Sequence, residues 1–79
     1  MNGNGKDFIS GKLAAIDATD IGIRLLNGDI KYRPYNGLDS LEGIDLQWIF
    51  ENMGERVMCQ LEDGIITDIK PLGKMPAWR

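Results

Sequence analysis

Histidine is absent from this 79-residue chain and cysteine occurs once. Without imidazole there is no Ser-His-Asp or Cys-His pair, no histidine general base and none of the common histidine zinc sites. The single thiol, Cys59, can form neither an internal disulfide nor a thiolate cluster, which fits a reducing compartment. No apolar run approaches the roughly 18 residues that span a bilayer, and the opening MNGNGKD lacks the basic and apolar pattern of a secretory signal. No membrane association and a cytoplasmic location are therefore expected. The phosphate-binding glycine motifs fail as well. Leu13 stands where a phosphate loop begun at Gly5 would place Ser or Thr on magnesium, and Phe8 stands where a dinucleotide fingerprint begun at Gly3 would need its third glycine. Asp39, Glu42 and Asp45 lack the spacing of a calcium loop and read as capping residues ahead of a helix. These absences predict a protein that is not an enzyme, with no metal, no cofactor and no small-molecule substrate.

What is present is the composition of a soluble globular domain, 43% hydrophobic and 27% charged, with a polarised distribution beneath the net charge of −3. Residues 21 to 37 hold Arg24, Lys31 and Arg33 against Asp29. Residues 38 to 69 hold eight carboxylates against Arg56 alone, and the last ten residues return three cations with no acid. An acidic chain is a poor binder of duplex DNA at large, since that affinity comes from phosphate neutralisation, but a local basic face is compatible with it.

Residues 1 to 6, rich in Gly and Asn, read as a flexible N-terminus, residues 7 to 70 as one small domain and residues 71 to 79 as a tail. A first strand runs from Asp7 to Ile16, interrupted at Gly11 by a bulge or bend. Asn27-Gly28 then joins two alternating runs, and a two-residue type I′ turn would set Ile23 opposite Tyr32 and Arg24 opposite Lys31. In that register Ile21, Ile23, Leu25, Ile30 and Tyr32 face the core, while Arg24, Lys31 and Arg33 face solvent. Leu46, Ile49, Phe50 and Met53 recur at helical spacing behind the N-cap candidate Asp45, with Gly54 as C-cap. A second hairpin follows, for which a three-residue loop Glu62-Asp63-Gly64 aligns Val57, Cys59 and Leu61 with Ile69, Thr67 and Ile65. Cys59 is thereby an inward, inert thiol.

The order strand, strand, strand, helix, strand, strand resembles the OB-fold, a small partly open five-stranded barrel, over residues 7 to 70; an SH3-like barrel with an inserted helix fits the strand count nearly as well. In the OB-fold the face of strands two and three commonly carries single-stranded nucleic acid, and the resemblance implies that role for Arg24, Lys31, Arg33 and Tyr35, with Lys12 beside them. The alternative partner is another protein. Trp48 falls opposite the predicted apolar helix face, near Glu51, and an exposed tryptophan is a typical interface anchor; its rival reading packs Leu41, Ile44 and Trp48 together. Trp78 in the tail is a third binding candidate.

Overall fold

The computed structural model describes residues 5–72, and its first-order fact is a five-stranded antiparallel sheet ordered β3-β2-β1-β4-β5. The strands are β1 (Lys6–Ile16), β2 (Asp20–Arg24), β3 (Ile30–Pro34), β4 (Arg56–Glu62) and β5 (Ile65–Pro71), and one short helix, α1 (Leu46–Asn52), lies between β3 and β4. The sheet is not closed. Its edge strands meet at an isolated parallel bridge between Tyr35 and Ile66. Curling brings one face of every strand inward, and Leu13, Ile21, Ile23, Val57, Cys59 and Ile66 from that face are fully buried.

The first hairpin departs from its expected register. The Gly28 N–H donates to the Leu25 carbonyl at 2.9 Å and the Leu25 N–H to the Asp29 carbonyl at 2.8 Å, so the loop is Leu26-Asn27-Gly28 and Arg24 pairs with Ile30. Gly28 takes a φ of +94°, whereas Asn27 does not enter the left-handed region. Asn27 instead accepts the Asp29 N–H on its side-chain oxygen at 2.9 Å, an Asx turn that favours a type I turn followed by a glycine bulge over type I′. One residue of slip flips every β3 side chain. Ile23 now faces Lys31, Gly22 faces Tyr32, and Tyr32 is 51% exposed where a core position was expected. The glycine remains necessary: Gly28→Val should cost more than about 1 kcal/mol in a denaturant titration, because β-branched residues resist positive φ.

The second hairpin errs in the opposite sense. Glu62 pairs with Ile65, which leaves the two-residue loop Asp63-Gly64, with φ of 56° and 83° as a type I′ turn needs. A regular ladder from that turn would point Asp68 at the core. A bulge between Gln60 and Leu61 absorbs Thr67 and restores the pairing of Cys59 with Ile69, so Ile66 and Ile69 face inward and Thr67 does not.

The helix is rotated from its expected face. Asp45 does cap it, accepting the Trp48 N–H at 2.9 Å, and Gly54 has a φ of +85° just beyond its end. Only Ile49 is fully buried on α1, and Trp48, half-buried, packs against the same core with Leu41 and Ile44. Leu46, Phe50 and Met53 face solvent. Ile49 belongs to two apolar rows, and the row through the preceding loop is the one the sheet receives. No described helix is long and apolar enough to cross a membrane.

Candidate nucleic-acid interface

Strand pairing assembles on the outer face what the sequence keeps apart. Lys12 of β1 lies directly opposite Arg24 of β2 on one side and Arg56 of β4 on the other. Residues opposite one another share a face, so Arg24, Lys12 and Arg56 form a continuous row across three strands. On the next row Ser10 pairs with Met58 and Met58 with Lys70, which adds a fourth cation to the same face. Among the described residues none of these four side chains has a carboxylate within ion-pair distance. Like charges opposite each other on a sheet are destabilising. This row therefore carries a cost with no internal compensation.

The row lines an open cleft of about 620 Å³ between the middle of β1 and the Leu25–Gly28 loop, walled by Ser10, Gly11, Leu26 and Asn27. Arg24 Nη1 donates to the Gly28 carbonyl at 3.4 Å, which lays the guanidinium along the loop wall. No acid lines the cleft. Two exposed rings share this face, Tyr32 on β3 and Phe8 on β1, the latter 55% exposed in a shallow depression with Asp68 and Lys70. Tyr32 lies across Gly22: its Cε1 comes within 2.8 Å of where a Cβ on that glycine would stand. The ring thus packs over bare backbone and remains half exposed.

The expected site is thus divided. Lys12 and Arg24 come together. Lys31 and Arg33 lie on the opposite side of β3, the side of Ile21 and Ile23, and Arg33 Nη1 donates to the Tyr32 carbonyl at 2.9 Å. Inward-pointing charges, followed by Pro34, discourage further pairing at an edge strand, which accounts for both residues without a ligand. Tyr35 is buried, and its hydroxyl donates to the Asp17 carbonyl at 2.6 Å. Burial, then the Asp17 carboxylate, raises its pKa, while the backbone N–H groups of Thr19 and Asp20 lower that of Asp17. Tyr35 is a core residue rather than a stacking ring. Trp48 is half-buried, Glu51 is exposed and hydrogen-bonded to Gln47 at 3.1 Å, and Trp78 lies outside the described residues.

Sequence reasoning missed Arg56, Lys70, Tyr32 and Phe8. Tyr32 depended on the turn type. Arg56 and Lys70 reach this face through β1–β4 and β4–β5 pairing, and the former joins residues more than forty apart in the chain, for which local pattern holds no signal. Among the described residues no group of three or more His, Cys, Asp or Glu side chains is placed to hold a metal ion. No family model, curated protein or solved structure matches this chain.

Proposed function

We propose that the protein is a non-enzymatic binding module that holds single-stranded nucleic acid on the outer face of β1, β2 and β4. The observation that carries this reading is the uncompensated row Arg24–Lys12–Arg56. Phosphates would offset the mutual repulsion of these cations, and the exposed rings of Tyr32 and Phe8 offer surfaces on which bases stack. The strand order, the helix between β3 and β4 and the approach of β3 to β5 at Tyr35–Ile66 support an OB-like arrangement, whose customary ligand face, that of strands two and three, adjoins this row through Arg24 and Tyr32. The chain's net negative charge disfavours sequence-independent duplex binding, whose affinity comes mainly from phosphate neutralisation.

Titration of a fluorescent single-stranded oligonucleotide at several salt concentrations tests this. Three phosphate contacts should give a log-log salt slope of about −2, from roughly 0.7 counterions released per contact. Lys12→Glu or Arg24→Glu should weaken binding at least about tenfold, and Tyr32→Ala by a comparable factor through lost stacking. Lys31→Glu, on the other side of β3, should leave affinity within about twofold. Equal losses for Lys31→Glu and Lys12→Glu, or no binding at low salt, would overturn the proposal.

A further inference from the structure

The rotation of α1 leaves an apolar stripe with nothing over it. Leu46, Phe50 and Met53, spaced at i, i+4 and i+7, are 58%, 74% and 39% exposed, while Ile49 between them is buried. Large apolar side chains singly exposed are ordinary, but three along one short helix and its C-cap residue form a patch of the kind that marks an interaction site. The segment that carries it is anionic. From Pro34 to Glu55 the chain has no lysine or arginine and five carboxylates: Asp39, Glu42, Asp45, Glu51 and Glu55. Asp45 is occupied as the helix cap, and among the described residues none of the others has a cation within ion-pair distance. Gln47 holds Glu51 in place beside the stripe through the hydrogen bond to its Oε2.

We infer that this stripe docks a basic amphipathic segment of another protein, one whose apolar side chains cover Phe50 and whose lysines or arginines meet Glu42, Glu51 and Glu55. Apolar contact would supply the affinity and the acidic surround the orientation and encounter rate. The anchor is then Phe50 rather than Trp48, whose ring is spent on the core. This surface is separate from the basic face of β1, β2 and β4, so the two sites can fail independently.

The test uses the full chain and a fluorescent amphipathic peptide of leucine and lysine, with a leucine and glutamate peptide as its charge-reversed counterpart. The lysine peptide should bind, the glutamate peptide should not, and Phe50→Ala should weaken binding at least about tenfold, as expected for a central anchor. Because Phe50 is exposed, that variant should melt within a few degrees of the parent and keep its oligonucleotide affinity. Glu51→Lys should slow association and flatten its salt dependence. Equal binding of both peptides would overturn the inference. So would self-association that Phe50→Ala abolishes while no peptide binds, which would assign the stripe to a second copy. Peptide binding seen only in Trp78→Ala would overturn it too, by assigning the stripe to the chain's own C-terminal segment.

Discussion

Replacing Gly11 with valine is expected to remove about 3 kcal/mol or more of stability, at the upper end of what overpacking a core costs. Gly11 sits in the middle of β1, paired with Val57, with its α-carbon turned toward β2. A Cβ there would collide with the Arg24 carbonyl oxygen and crowd Ile23 Cγ2. One of those obstacles is backbone, which cannot rotate aside, and the other belongs to a fully buried residue. Relief requires β1 and β2 to separate, and that would break the Lys12–Arg24 and Leu13–Ile23 pairing. A domain of this length has on the order of 4 to 12 kcal/mol to lose, so the variant should give up between about a quarter and three quarters of its stability. Urea melts of Gly11→Val and Gly11→Ala, with Ser10→Ala as the exposed neighbour, supply the check. Ser10→Ala should fall within about 0.5 kcal/mol of the parent. If Gly11→Ala is equally silent, the close approach of β1 and β2 is wrong.

Alkaline pH should expose the second large effect. Cys59 is fully buried, and burial, with a smaller contribution from the Asp68 carboxylate, pushes its thiol from 9.0 up to about 12. A thiol is charged when deprotonated, so the folded state resists losing this proton. Below about pH 9 both states keep it and stability is flat in this group. Between about pH 9 and 12 the unfolded chain releases a proton that the folded chain retains, and stability falls as pH rises. The loss amounts to about 1.4 kcal/mol between pH 8 and 10, growing to roughly 4 kcal/mol by pH 12. Tyr35, raised in the same direction, adds to it from about pH 10. Cys59→Ala should start less stable, because it leaves a cavity, yet lose much less on going from pH 8 to 10. Parallel pH profiles for the two proteins would show that the thiol is not held neutral by the fold. The same burial makes Cys59 a slow target for thiol reagents in the native state.

The turns and the helix show how far a single chain can be read. Element order, the existence of both hairpins, the Asp45 cap and the inward position of Cys59 all follow from local rules, because propensity, capping and two-residue alternation act within a few residues. The two Xaa-Gly turns were each assigned the geometry that belongs to the other. Asn27-Gly28 and Asp63-Gly64 are chemically alike, and what separates them is whether the side chain is drawn into an Asx turn and whether a bulge further along the ladder can rescue the register. That second condition concerns pairing between strands. Likewise the helix offered two apolar faces sharing Ile49, and the choice fell to the shape of the curled sheet that receives it.

The site residues divide along the same line. Lys12 and Arg24 were legible as cations on neighbouring strands. Lys31 and Arg33 were placed on the wrong side by one residue of slip, and Tyr35 was drawn into the core by its bond to the Asp17 carbonyl. Arg56 completes the row only because β4 pairs with β1 rather than continuing past β3. By itself the sequence determined the β-rich class, the strand and helix order, the absence of histidine chemistry and a charge distribution divided between a basic hairpin and an acidic helix. The tertiary structure alone decided which cations share a face and which aromatic rings meet solvent, because cross-strand pairing has no local energetic signature and a shift of one residue inverts every side chain it touches.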